Sequence, residues 1–177
     1  MWSGGLPPAL PASMNNLNIH PATRDDVPAL LSLIRGLAAY EKKPQAVVAT
    51  EQDLLRDAFG PAPKFRALIA EWKGEAAGYA SFFRFYSTYQ GRAALFLEDL
   101  FVLDKFRGNG IGMALLSAVA KLAADEGCFG LRWEVLDWNH PAIEFYKKLG
   151  ATFLNERKVV TFDENAMRRV AAGSKSL

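Results

Sequence analysis

The 177-residue chain is half hydrophobic and carries a formal net charge of +2. That suits one well-filled core and gives no argument for a nucleic-acid partner. No apolar run approaches the roughly 18 residues a bilayer span requires, so no membrane association is expected. One cysteine, Cys128, leaves no intrachain disulfide, and two histidines, His20 and His140, are too few for a metal site; a reducing cytoplasm is the expected compartment.

The first thirteen residues are uncharged and hold Pro7, Pro8 and Pro11 with Gly4 and Gly5. They lack the basic start and unbroken apolar stretch of a secretory signal. A disordered extension over residues 1–13 is expected, with Met14 as an alternative start and residues 14–177 as a single domain. Leu17 to His20 is a short strand. Thr23 and Asp26 can cap a helix over about residues 24–40, in which Val27, Leu30, Leu31, Ile34, Leu37 and Ala38 recur at helical spacing. Pro44 interrupts it, and Thr50 with Asp53 starts a second helix ending near Phe59.

Sheet material follows. Lys64 to Trp72 and Ala76 to Tyr86 flank a hairpin-like turn at Lys73-Gly74-Glu75, and Arg92 to Leu103 is a third extended run. Gly110 to Glu126 reads as an amphipathic helix and Leu131 to Leu136 as a buried strand. Pro141 to Leu149 is a short helix stopped by Gly150, and Phe153 to Phe162 returns to extended structure. This order is not a regular βαβ alternation; it predicts an α+β fold with a sheet of mixed direction.

Arg107-Gly108-Asn109-Gly110-Ile111-Gly112 joins a strand to a helix. Backbone N–H groups at such a junction converge at the positive end of the helix dipole and suit a phosphate, and Arg107 adds a permanent charge. A Walker loop needs a Lys after the last glycine, which is missing. A dinucleotide loop needs a third glycine where Met113 stands. A plain glycine-rich turn opening a helix fits the same residues.

Two more segments narrow the choice. Leu97-Glu98-Asp99-Leu100-Phe101-Val102 puts two carboxylates in an apolar strand, and Asn139, Phe145, Tyr146, Gly150 and Ala151 follow the next one. Together with the loop they resemble the GNAT superfamily of acyl-CoA-dependent N-acyltransferases, over about residues 17–163. Ile19 to Thr23, Leu37 to Glu41, Leu97 to Asp99 and Trp138-Asn139-His140-Pro141 are similar to its diamine subgroup, the spermidine/spermine and thialysine acetyltransferases. Asn109 stands where that subgroup often has an aromatic residue, and Thr88 to Ala94 is less like the polyamine enzymes.

The resemblance implies a mostly antiparallel mixed central sheet, flanking helices and a splayed strand pair that holds CoA. It implies acetyl transfer from acetyl-CoA to a primary amine of a small molecule, a polyamine or thialysine-like amino acid, and commonly a homodimer. The loop residues Arg107 to Gly112, with Met113, would take the pyrophosphate, and the backbone of Leu100, Phe101 and Val102 the pantetheine amides. Asn139 would bond the pantetheine arm or cap the following helix. Tyr40 and Glu41 would bind a distal ammonium.

For the chemistry, an alkylamine must lose a proton before it attacks. Glu98, on a largely buried strand, should have a raised pKa and suits that task; an ion pair with a nearby Lys or Arg is the other reading of the same residue. Asp99 should face the opposite side unless the strand bulges, as it does in the family; with the bulge it would take a secondary part, placing water or meeting the substrate's charge. A phenol can protonate the departing thiolate, and Tyr146 matches the family's catalytic tyrosine. Cys128 reads as a small buried residue, so direct transfer is expected rather than an acetyl-cysteine relay. The remaining readings are the same fold acting on a protein amine or antibiotic, a non-catalytic CoA-binding module, or a nucleotide-phosphate binder.

Overall fold

The computed structural model describes residues 16–173; the expected extension and the alternative start at Met14 lie outside them. These residues fall into two compact units, the first ending at Glu134 and the second beginning at Val135.

In the first unit, strands β1 (Leu17–Pro21), β2 (Arg66–Trp72), β3 (Glu75–Ser87), β4 (Arg92–Val102) and β5 (Leu131–Arg132) form one sheet in sequence order. The first four pair antiparallel and β5 joins β4 in parallel. The mixed, mostly antiparallel sheet expected from the element order is therefore present. Consecutive residues Ala67 to Ala70 and Ala77 to Phe82 are buried, because helices cover both faces of these central strands.

Helix α1 (Val27–Tyr40) and α2 (Glu51–Phe59) cover one face. Val27, Leu30, Leu31, Leu33 and Leu54 pack with Ala67, Ile69, Tyr79 and Phe101 in one core. Both sequence caps form. The Asp26 carboxylate accepts from the Thr23 backbone N–H at 2.7 Å, and Thr50 and Asp53 bond reciprocally at 3.2 and 3.0 Å. Helix α3 (Ile111–Asp125) packs against β3 and β4, burying Ile111, Leu115, Leu116, Val119 and Ala123.

The second unit holds α4 (His140–Lys148) and α5 (Glu164–Ala171). Gly150 has φ +80° and stops the α4 turn, with the Ala151 N–H bonded to the Tyr146 carbonyl at 3.1 Å. Helix α5 was not legible in the sequence; Asp163 caps it by accepting from the Ala166 N–H at 2.7 Å, and Arg168 pairs with Glu164 at 2.5 Å.

Two expectations need correction. The strand expected over Leu131 to Leu136 is confined to Leu131–Arg132 and is not buried. Its register with β4 pairs Leu95 with Leu131 and Phe96 with Arg132; two further steps along each strand, Glu98 would oppose Glu134. Like charges directly opposite oppose pairing, and the ladder stops before them. The extended run expected over Phe153 to Phe162 is not a strand. Its β-branched and aromatic residues have no neighbouring strand to pair with, and β-propensity expresses itself only against such a partner.

Candidate active site

The central feature is a bulge in β4. Ser81 of β3 pairs with Asp99 and Phe82 pairs with Leu97, so Glu98 is an extra residue without an opposite number. The bulge breaks the alternation that would otherwise send Glu98 and Asp99 to opposite faces, as the family resemblance anticipated. Glu98 is exposed and Asp99 half-buried. Burial, the neighbouring Asp99 and the Glu134 carboxylate together push the Glu98 pKa up. The charges that act on Glu98 are the carboxylates of Asp99 and Glu134 rather than a Lys or Arg. The raised pKa expected of Glu98 is therefore present.

Asp99 is raised as well, again by burial, and two hydroxyls of β3 oppose the shift. The Ser81 hydroxyl donates to Asp99 Oδ2 at 2.7 Å. Tyr79, wholly buried, brings its hydroxyl close enough to lower the Asp99 pKa, yet its geometry falls short of a hydrogen bond. Burial and then Asp99, with Glu41 and Glu98 further off, keep the Tyr79 phenol firmly protonated.

At the C-terminal end of α1, Tyr40 is half-buried with its ring 6.5 Å from Phe101, and Glu41 is the C-cap. Arg107 reaches this end of the helix: its guanidinium lies 4.5 Å from the Tyr40 ring centroid. Its Nε donates to the Val102 carbonyl at 3.0 Å and its Nη1 pairs with Asp104 at 2.7 Å. The arginine thus ties β4, the loop and α1 together.

The loop itself matches a phosphate cradle through its backbone. Gly108 and Gly110 have φ of +79° and +77°, a region an L side chain rarely adopts. Gly110 is the N-cap of α3 and no side chain caps that end, so the first-turn N–H groups of Ile111, Gly112 and Met113 keep the donors an anion uses. A Cβ on Gly108 would meet nothing within 4 Å, so backbone conformation rather than crowding calls for glycine there. Asn109 turns inward, donating from Nδ2 to the Phe106 carbonyl at 3.0 Å. The residues present fit a pyrophosphate. Beside the loop, β4 beyond Phe96 has no ladder on its β5 side, so Leu100, Phe101 and Val102 lie along an unpaired strand edge, as a splayed pair requires.

In the second unit, Asn139 caps α4, its Oδ1 accepting from the Ala142 N–H at 3.4 Å. Tyr146 is buried to 7% exposure, and that burial raises its pKa. His140 opens the same helix.

The sequence reading missed Ser81, Tyr79 and Glu134. Ser81 and Glu134 left a signal, each being a polar residue inside an apolar run. Tyr79 left none, since a tyrosine in a strand is ordinary core. Among the described residues no group of three His, Cys, Asp or Glu could hold a metal, and no helix is long and apolar enough to cross a membrane.

A mixed sheet whose fourth strand bulges at a carboxylate, parts from its parallel neighbour and runs into a glycine loop defines a GNAT acetyltransferase. Residues 32–151 match the Acetyltransferase (GNAT) family; the chain belongs to that family and is an acetyl-CoA-dependent N-acetyltransferase. It is 40% identical over 164 residues to the thialysine N-epsilon-acetyltransferase of Bos taurus, covering 86% of this chain and 96% of that protein. It is 34% identical over 153 residues to spermidine/spermine N(1)-acetyltransferase-like protein 1 of Homo sapiens, covering 82% of this chain and 22% of that protein. Among solved structures, an integron cassette protein from the mobile metagenome of V. cholerae superposes with a TM-score of 0.75 at 25% identity, covering 91% of this chain and 99% of that one.

Proposed function

We propose that the protein acetylates a primary amine on a small molecule that carries a second cationic group, a thialysine-like amino acid or a polyamine. The observation that carries this reading is the carboxylate-rich face at the bulge, where Asp99 and Glu134 both act on Glu98, and where Asp99, Glu41 and Glu98 all act on Tyr79. Such a face attracts a polycationic substrate. The names of the relatives, acetyltransferases of thialysine and of spermidine/spermine, support the same class.

The reaction proceeds by direct attack in a ternary complex. Acetyl-CoA supplies the activated thioester. Glu98, directly or through a water, takes a proton from the ammonium; its raised pKa makes it a stronger base than an ordinary glutamate. The amine nitrogen forms its bond to the acetyl carbon, the C–S bond breaks, Tyr146 gives the thiolate its proton, and the second proton that the nitrogen sheds on becoming an amide restores the phenol. The phenol is suited to this because burial holds it in the neutral form. Asp99, Tyr40 and Glu41 receive the distal cation. The backbone of Leu100, Phe101 and Val102 bonds the pantetheine arm by strand addition, with Asn139 assisting. Arg107, Gly108, Asn109, Gly110, Ile111, Gly112 and Met113 form the pyrophosphate site, the arginine by bracing the loop.

Both units belong to one acetyltransferase domain in this reading, since the family match crosses residue 134. The protein works in the cytoplasm as a homodimer, and residues 153–162, with Val159, Val160 and Phe162 exposed, gain their missing strand partner there.

The deciding experiment is an acceptor panel with acetyl-CoA as donor: thialysine, lysine, ornithine, spermidine, spermine, an aminoglycoside and a lysine peptide. Turnover concentrated on the free dicationic amines supports the reading. Preference for the peptide or the aminoglycoside overturns it, and CoA release with none of them makes the protein a binding module.

A further inference from the structure

We propose that the Ser81 and Tyr79 hydroxyls are positioning residues for the amine, holding the Asp99 carboxylate in the orientation and charge state that receives a substrate ammonium. This rests on the reading of Asp99 as substrate-binding.

The argument begins with register. Tyr79 pairs with Phe101 and Ser81 with Asp99, so the four side chains share the sheet face that α1 and α2 cover. Tyr79 and Phe101 are part of that core. Ser81 is the buried polar residue of the described core, and its hydroxyl is committed to Asp99 at 2.7 Å. Two residues back, the Tyr79 hydroxyl is the buried side-chain polar atom without a hydrogen bond among the described residues. A buried phenol left unpaired is costly, and phenylalanine would fill the same space without that cost. Its surroundings give it a use, because Asp99, Glu41 and Glu98 are the charges that act on it.

Asp99 has an unusual set of neighbours. From β3 it meets Ser81 and Tyr79, and along its own strand Glu98. Glu41 approaches from α1 through Tyr79, and Glu134 reaches Glu98 from beyond β5. No arginine or lysine is among the groups acting on it. A half-buried carboxylate among carboxylates tends to take up a proton, and a neutral acid loses its attraction for an ammonium. The two hydroxyls are what oppose protonation before substrate arrives. Once the ammonium is bound, its charge holds Asp99 ionised, and the Tyr79 O–H can close on the same carboxylate.

The test uses Ser81→Ala and Tyr79→Phe in the full chain. The Asp99 carboxyl is titrated by carbon-13 NMR of aspartate-labelled protein, with Asp99→Asn identifying its resonance. In parallel, kcat and both KM values are measured with the best amine of the panel at one pH below and one well above the midpoint found in that titration. Each substitution is expected to raise the Asp99 midpoint. Below that midpoint the amine KM should rise about tenfold for each unit of upward shift, and the difference from the parent enzyme should close at the higher pH. The KM for acetyl-CoA should move less than about twofold, and Tyr79→Phe should keep or raise the unfolding midpoint.

An Asp99 midpoint unchanged in both variants overturns the proposal, as does a loss of amine affinity equal at both pH values, which is the mark of a merely structural role. A raised midpoint with unchanged amine KM overturns the link from Asp99 to the amine while acetylation itself persists. Failure of the parent enzyme to acetylate any small amine is a different result, against the proposed function, and the NMR titration still reads the hydroxyls.

Discussion

The Arg107 guanidinium lies 4.5 Å from the Tyr40 ring centroid, so the first residue of the glycine loop is packed on the end of α1 that we propose receives the amine. A cation over a tyrosine face is worth about 0.5–2 kcal/mol, and here the same side chain also bonds the Val102 carbonyl and Asp104. Arg107→Lys keeps the charge but loses the planar fork. It should raise KM for acetyl-CoA and for the amine together, each by about fivefold, roughly the loss of 1 kcal/mol. Initial-rate kinetics varying each substrate in turn will show this. A change confined to acetyl-CoA would mean the arginine serves the phosphate alone.

Glu98→Gln removes the proposed base while keeping size and polarity. kcat should fall by about 100- to 10,000-fold, the usual contribution of a positioned base. The acidic limb of the kcat/KM profile should vanish with it. In the parent enzyme that limb reflects protonation of Glu98, and since the carboxyl is raised its midpoint should lie above the ordinary glutamate value of about 4.3. Activity is lost as pH falls through that midpoint, because the protonated acid cannot accept a proton.

Glu134→Gln tests the carboxylate across the gap. Removing a like charge stabilises ionised Glu98, so its pKa should drop and the acidic limb move to lower pH. A weaker base should also lower the plateau rate, by less than Glu98→Gln does. A limb that stays in place would show Glu134 to be electrostatically irrelevant to Glu98.

Tyr146→Phe should cut kcat on the order of 100-fold and leave the Kd for CoA nearly unchanged, because in the proposed reaction the phenol acts on the departing sulfur. Calorimetry with CoA, beside steady-state rates, separates the two effects. With the ring retained at a site only 7% exposed, the unfolding midpoint should hold.

Much of this protein was readable from local chemistry. The Thr50 and Asp53 cap, the apolar stripe of α1 from Val27 to Ala38, and the turn at Lys73 and Gly74 depend on residues within a few positions of one another, and each formed as read. The glycine loop was legible for the same reason: Gly108 and Gly110 permit the positive φ that both adopt there. Residues 153–162 show the opposite case, with strand composition but no strand, because pairing needs a partner that composition cannot supply.

The sequence by itself determined helices α1 to α4, the central strands and the glycine-rich turn that opens α3, since these follow from periodicity and backbone freedom within short stretches. Only the tertiary structure decided what surrounds the carboxylates. That Glu98 is the extra residue of a bulge depends on its register with Phe82 and Ser81, 15 or more positions away. That Asp99 is held by Ser81 and overlooked by Tyr79, and that Glu134 meets Glu98, are products of strand pairing. The pKa of a carboxylate depends on burial and on charges within a few ångströms, and those distances exist only once the sheet has formed.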